Sequence, residues 1–387
     1  MDKGILYKKI KDMATYLKEG HPAFYLQHSE EKFDEMLKRI ISNKDYFDRY
    51  DFYYYANYIL KYMLNGIDSH TKVFFRDYKL LPLKIKIIDG APYIIDSTNK
   101  YSQIVGSEIK GINGVPIKEV MFELSNIISS PSDTFLNMRL EQYLTSVNSL
   151  KSLPSINSSQ EIKLNTSSGD ISFSDEDYNS YKDKSIKPNY NLEIIDNGKT
   201  ALITYNSCRD KVSMLKLINK LEEENNIKNY IVDLRGNNGG DSSINSYLVN
   251  FLEGKKVIVL SDEKVYSSAR MCLVDLKNIG AIIIGKGPAT SINCCGNNTL
   301  EKRYDDMNLV LHGSDTYWCY DNNYGLIGLN KERFRRVYEE SKSIINPVFL
   351  NADCVIPLSL QDYLDKKDLV LELAVNKCKA KTNNRIL

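Results

Sequence analysis

The sequence predicts a mixed α/β protein. Its second half should form an α/β layer with a mostly parallel sheet, after a helical region and a β-rich region. Three observations carry this. Residues 196–300 alternate apolar strands with one-faced helices in a β-α-β-α-β order, and such crossovers imply parallel pairing. Apolar residues before residue 66 recur at helical spacing. Between residues 79 and 195, short alternating runs and turn residues take over. The division read from these changes is 1–78, 79–195 and 196–387.

In the first region, Ile10, Met13 and Leu17 share one helix face, and Phe33, Met36, Leu37 and Ile40 share another. His21-Pro22 breaks the first helix. The stretch Tyr53 to Leu64 is apolar nearly all round and reads as a buried helix ended by Asn65-Gly66. A loop, Ile67 to Thr71, leads into the strand Val73-Phe74-Phe75. In the second region Leu83–Ile87 and Pro92–Ile95 read as strands. Gly106 to Ile117 reads as strand, Asn-Gly turn, strand, with a helix starting near Lys118. Glu161–Leu164 and Asp170–Phe173 form an expected hairpin around Ser167-Ser168-Gly169, and 174–190 is polar enough to be a mobile linker.

In the third region Ala201–Tyr205 is a strand, and Met214, Leu217, Ile218 and Leu221 line a helix. The Ile231 strand follows, then a helix with Ile244, Tyr247, Leu248 and Phe251 on one face. The Val257 strand, a helix over about 268–278 and the Ala281 strand complete the series.

Hydrophobic residues at 42% and charged residues at 26% of 387 are ordinary globular values. With 51 basic and 50 acidic residues, the net charge of +1 argues against nucleic acid or an anionic membrane as partner. No apolar run approaches the ~18 residues of a membrane span, and the first residues do not read as a secretory signal. The chain is therefore expected to be cytoplasmic. Seven scattered cysteines fit free thiols better than a disulfide framework. With Cys294 and Cys295 adjacent and only four histidines, no metal site is expected.

Three places carry candidate chemistry, each with a structural alternative. After the buried strand Tyr230–Asp233, Gly239-Gly240 permits a sharp turn whose N–H groups can cradle negative charge; it can equally be a plain strand-to-helix turn. Ser267-Ser268, between a strand and a helix, offers one serine as N-cap and one as an exposed nucleophile; alternatively both are structural. His70, flanked by Asp68, Ser69 and Thr71, is the histidine best placed to act as base for a serine, or it is a structural histidine. His21, His28 and His312 are weaker candidates. In open parallel sheets, sites lie at the carboxyl ends of strands, where both the glycine and the serine turns fall.

In this order the pieces resemble the S41 peptidases, the C-terminal processing and tricorn-like proteases, in their histidine-dependent branch. Leu234-Arg235-Gly236-Asn237-Asn238-Gly239-Gly240 is similar to the family's Leu-Arg-x-Asn-x-Gly-Gly signature. Tyr266-Ser267-Ser268-Ala269 resembles its nucleophile turn, and Asp68-Ser69-His70-Thr71 its Asp-Gly-His-Thr base loop. His21-Pro22 and the helices after it resemble that branch's amino-terminal region. Gly106 to Ile117 is similar to its PDZ-like segment. Val355-Ile356-Pro357 through Glu372 resembles the usual ending. The likeness spans nearly the whole chain. It implies a ClpP/crotonase-like core with an N-terminal helical region and a PDZ-like insert.

The resemblance implies Ser267 as nucleophile and His70 as general base. It implies oxyanion donors at Gly239 or Gly240 and at Ser268, and no metal or organic cofactor. The lysine of the other branch is not matched, since Lys286 comes too early. The orienting acid lies downstream of the serine in this branch, where Glu332, Glu339 and Glu340 are candidates. The function implied is a serine endopeptidase acting on an extended peptide or protein, with homo-oligomerisation left open.

Arg270 stands where the family usually has an acid, Leu358 replaces the aspartate after Pro357, and the loop after Gly285 lacks the Gly-Glu-x-Thr-Gly pattern. These departures motivate an alternative, a catalytically inactive S41-like peptide-binding protein. A third reading, an acyl-CoA enzyme, follows from the likeness of the S41 core to the crotonase fold.

Overall fold

The computed structural model describes residues 1–42, 44–181, 187–320 and 325–380. The chain is mixed α/β and divides into two compact units. One comprises Met1–Asp183, Asn293–Pro347 and Ser359–Leu364; the other comprises Lys184–Ile292, Val348–Leu358 and Asp365–Leu387. The expected linker over 174–190 falls in part, at 182–186, outside the described residues.

The first unit opens with the helix Lys3–Gly20, which buries Leu6, Ile10, Met13 and Leu17. Asp2 caps its start by accepting from the Ile5 amide, and the chain leaves it at His21, whose N–H still donates to the Leu17 carbonyl. The helix Arg49–Leu64 starts on a reciprocal capping box between Asp48 and Asp51. Its buried residues include Phe52, Tyr53, Ala56, Asn57, Leu60 and Met63, so it is enclosed on most sides, as its unbroken apolar character requires.

Lys72–Phe75 then pairs antiparallel with Leu309–Gly313, which pairs in turn with Leu300–Tyr304. Leu83–Ile88 and Ala91–Ser97 form a hairpin. The expected Asn-Gly turn connects Ile109–Ile112 to Val115–Pro116, with φ of 52° at Asn113 and 83° at Gly114, the signs a two-residue type I′ hairpin turn requires. The Ile162–Thr166 and Gly169–Phe173 hairpin joins the same sheet. Later in the chain, Cys294–Gly296, Thr316–Tyr320 and Leu326–Leu329 form a further small sheet. Besides Ile117–Ser125, which starts where a helix was expected, the region read as β-rich contains the helices Asp133–Tyr143 and Val147–Lys151.

The second unit is built on one six-stranded sheet. Its order is Cys354–Val355, Ile282–Gly285, Val257–Ser261, Asn229–Asp233, Thr200–Tyr205, Tyr190–Ile195. All neighbours are parallel except Tyr190–Ile195, which runs antiparallel at the edge. The crossovers are the helices Lys211–Glu223, Asn245–Leu252 and Ser268–Asn278, close to where the apolar spacing placed them. Val257–Ser261 is buried along its whole length, as befits a parallel strand covered on both faces. One face packs Val232, Val259 and Ile283 against Leu217, Leu248 and Leu273. The other packs Ile231, Ile258, Leu260 and Ile284 against Val370 and Ala374 of the helix Leu369–Lys379.

All seven cysteines are free thiols. Among the described residues no helix is long and apolar enough to cross a membrane.

Candidate active site

In the second unit, the glycine turn and the serine turn follow adjacent parallel strands, Asn229–Asp233 and Val257–Ser261, so topology alone brings them to one end of the sheet. Arg235 fixes the beginning of the glycine turn. Its guanidinium donates to both carboxylate oxygens of Asp233, at 2.9 and 2.7 Å, and of Asp368, at 2.7 and 2.8 Å. These charged, forked hydrogen bonds tie the turn to the start of the helix Leu369–Lys379, which Asp368 also caps.

Asn237 holds the middle of the turn and is fully buried. Its Nδ2 donates to the Tyr205 carbonyl (2.8 Å), its Oδ1 accepts from the Gly239 amide (2.8 Å), and its carbonyl accepts from the Tyr266 amide (3.0 Å). Asn237 thereby ties its own turn to the segments at Tyr205 and Tyr266. Gly239 has φ of 93°, and a β-carbon there would lie 2.7 Å from the Ser268 nitrogen. Gly240 has φ of 145°, and a β-carbon there would lie 2.2 Å from the Cys208 carbonyl oxygen. Both positions therefore require glycine.

Ser267 stands immediately before the helix Ser268–Asn278, with φ 53° and ψ −126°. This is rare backbone for an L-residue and stores on the order of 1–3 kcal/mol. The Ser267 side chain makes no capping hydrogen bond. Ser268 does not cap either, because its hydroxyl donates to the Gly240 carbonyl at 2.7 Å. The capping role expected for one of the two serines is thus filled by neither. The Ser268 carbonyl accepts from Asn245 Nδ2 (2.8 Å), whose Oδ1 accepts from the Tyr205 hydroxyl (2.8 Å). Burial holds the Tyr205 phenol far above its usual range, so it remains a donor. Of the three expected oxyanion donors, the Gly239 N–H is engaged with Asn237. The amides of Gly240 and Ser268 make no hydrogen bond within the described residues.

Arg270 lies on the same helix and is 1% exposed. Its guanidinium donates to the Ser291 carbonyl. Lys286 sits 3.7 Å from the Glu263 carboxylate.

In the first unit, His70 is 7% exposed and lies in a loop organised by Asp68. Asp68 Oδ1 accepts from the His70 amide (2.6 Å), closing an Asx turn. Its Oδ2 accepts from the Thr71 hydroxyl (2.5 Å) and from His21 Nε2 (2.8 Å). The Thr71 hydroxyl in turn accepts from the Ser314 amide. The Ala23 amide donates to His21 Nδ1, so Nε2 must carry the proton given to Asp68. The His70 ring has Nδ1 3.8 Å from Asp68 Oδ1. Burial would raise the Asp68 carboxyl, but the hydrogen bond from His21, the neighbouring His70 ring and the Thr71 hydroxyl outweigh it. The group is held well below the usual carboxylate range.

His21, Asp68 and Cys295 bring potential ligand atoms within 4.8 Å of one another. Burial pushes the Cys295 thiol well up, helped by the Asp68 charge, and both other groups are committed to each other. The cluster is thus a hydrogen-bonded one rather than a cation site.

Glu332, Glu339 and Glu340 lie on the helix Lys331–Glu340 of the same unit, and all three are exposed. The carboxylate nearest the His70 ring in the described geometry is Asp68. Sequence reasoning took His21 only as a weaker candidate base and Asp68 only as a neighbour of His70, and did not pair them. An Asp two positions before a His is a recognisable Asx-turn signal; the partnership with His21, 47 residues away, has none.

A family model described as Peptidase family S41 matches residues 199–269, a span that holds Asn237, both glycines and both serines. No curated protein matches the chain. Among solved structures it is similar to mature CPAF complexed with lactacystin, at 12% identity and a TM-score of 0.59, covering 97% of each chain. It is also similar to mature CPAF alone, at 12% identity and a TM-score of 0.56, covering 96% of this chain and 98% of that one. At such identity the likeness establishes a shared fold. The family match lies on the stretch that carries Gly239, Gly240 and Ser267, so residues 199–269 are similar to peptidase family S41, in a chain that shares its fold with CPAF.

Proposed function

We propose that the protein is a serine endopeptidase of the histidine-dependent S41 branch, cleaving an extended polypeptide. The observation that carries this is the strained Ser267 backbone, with a hydroxyl not spent on capping the helix that follows. Such a strand-to-helix turn presents a nucleophile. Ser267 Oγ attacks the scissile carbonyl carbon, and its proton passes to His70. The oxyanion is stabilised by the Gly240 and Ser268 amides, each contributing roughly 3 kcal/mol in the transition state. Collapse expels the amine, which takes its proton from His70, and water then releases the acyl group. The 3.8 Å spacing to His70 Nδ1 favours Asp68 as the group that steadies the imidazolium, alongside Glu332, Glu339 and Glu340 as the alternatives. No metal or organic cofactor takes part.

The reading treats 196–387 as a ClpP/crotonase-like core and 1–78 as the carrier of the base. Residues 79–195 form a PDZ-like segment that grips substrate. It takes the protein to be cytoplasmic. Lactacystin, present with CPAF, is a candidate ligand of Ser267.

A second reading is a catalytically inactive peptide-binding protein. Burial of Arg270 against the Ser291 carbonyl, where the family usually has an acid, favours it. Two measurements decide. A fluorophosphonate probe, read by mass spectrometry, labels Ser267 if the serine is activated. A peptide-library digest compares wild type with Ser267→Ala and His70→Ala. Loss of cleavage in both variants supports the peptidase. Equal product from all three removes the assignment, and absent labelling in a folded protein selects the binder.

A further inference from the structure

The first unit contains a cavity of about 730 Å³, within the usual range for small-ligand sites. The strand Lys72–Phe75 forms one wall and the helix Asp133–Tyr143 another. Lys72 and Phe74 alternate with the buried Val73 and Phe75. From the helix come Arg139 and, one turn later, Tyr143, with Tyr53 and Tyr78 completing an aromatic lining.

Two cations share this space. Arg139 Nη1 donates to Gln142 Oε1 at 2.7 Å, a neutral acceptor. Among the described residues neither Lys72 nor Arg139 has a carboxylate within 4 Å. The other basic side chains lining the cavity have acidic partners: Arg76 pairs with Asp305 at 2.6 Å, and His312 lies 3.4 Å from Glu301.

We propose that this cavity binds a carboxylate carried on an aromatic or aliphatic body, with the anion between Lys72 and Arg139 and the body against Tyr53, Phe74, Tyr78 and Tyr143. Repulsion from the Arg139 guanidinium, then burial, push the Lys72 ammonium down to about 7, against a weaker upward pull from Asp68. That cost is relieved when an anion enters. A single negative charge matches one permanent and one marginal cation, and the largely apolar wall accepts the rest of the molecule. The chemistry is shared by free organic acids and by the terminal carboxylate of a peptide. The proposal does not depend on the peptidase reading.

Calorimetry tests this on the full chain with 3-phenylpropionate, its amide, and a tripeptide ending in phenylalanine as free acid and as amide. The acids bind at millimolar concentration or below, and the amides bind at least about tenfold more weakly. Lys72→Met and Arg139→Met each weaken the acids about tenfold or more. A tighter tripeptide acid assigns the site to peptide termini, and a tighter phenylpropionate assigns it to small acids. At about pH 8, above the Lys72 value, binding takes up protons from the buffer in wild type but not in Lys72→Met. Should a variant fail to fold, wild type labelled by ¹³C reductive methylation reports Lys72 directly, its apparent pKa rising when the acid is added. Equal affinity for acid and amide, no binding of either acid, or unchanged affinity in the folded variants overturns the proposal.

Discussion

Gly239 lies so close to the serine turn that a β-carbon on it would stand 2.8 Å from Cβ of Ser267. The absence of a side chain at one residue is what lets the other occupy its strained position. Gly239→Ala combines this clash with a φ of 93°, worth about 1–2 kcal/mol for an L-residue before the clash is counted. The expected outcome is a folded protein with a lower melting temperature and no fluorophosphonate labelling of Ser267. Normal labelling would show that the turn tolerates displacement.

Asn237→Ala removes the acceptor of the Gly239 amide and the donor to the Tyr205 carbonyl at a buried position. Each orphaned group costs roughly 1–3 kcal/mol, so urea unfolding should show a loss of about 2–5 kcal/mol. A loss below 1 kcal/mol by that measurement would mean that water enters the turn.

Tyr205→Phe tests the chain of hydrogen bonds from Tyr205 through Asn245 to the Ser268 carbonyl. Fold and packing are kept, one buried acceptor is left unsatisfied, and stability falls by roughly 1–3 kcal/mol. If that chain positions the serine turn, cleavage per folded molecule falls as well. A stability change with full activity would limit Tyr205 to a structural part.

Asp68 predicts a pH dependence. Its folded pKa is depressed by His21, His70 and Thr71 against the effect of burial. Its contribution is therefore present above the unfolded value near 4 and drains away as pH falls below about 5 toward the folded value. Asp68→Asn should be less stable at pH 7, by roughly 2 kcal/mol for a paired native carboxylate. It should also lose less than wild type on acidification. Thermal unfolding across pH 3–7 checks this, and parallel curves for the two proteins would contradict it.

Arg270→Glu installs the residue type usual for the family in a position that is 1% exposed and faces the Ser291 carbonyl. A buried carboxylate against a carbonyl oxygen is strongly unfavourable. The variant should fold poorly, while Arg270→Met, which keeps the stem and drops the charge, should be markedly less affected. Calorimetric melting of both separates these outcomes.

The long periodic elements were legible in the residues alone. Lys3–Gly20 and Lys211–Glu223 announced themselves through repeating apolar positions, because burial of one face leaves a periodic trace. Asp133–Tyr143 left none: its buried Phe135, Met138, Leu140 and Glu141 do not form a single stripe. The structure shows Ser132 capping its start by accepting from the Phe135 amide. The small sheets after Cys294 were largely unassigned, since short strands of mixed polarity are stabilised by partners distant in the chain.

For the candidate site the same division holds. Sequence alone determined the parallel sheet, the glycine and serine turns at its carboxyl edge, and the identities of Ser267 and His70 as the groups to test. These follow from local pattern, where neighbours along the chain dictate backbone conformation. Only tertiary structure decided that Asn237 occupies the Gly239 amide, that Arg270 is spent on Ser291, and that His21 and Asp68 form one buried pair. Those choices depend on which polar groups meet when water is excluded, and the cost of leaving any of them unpartnered selects the arrangement.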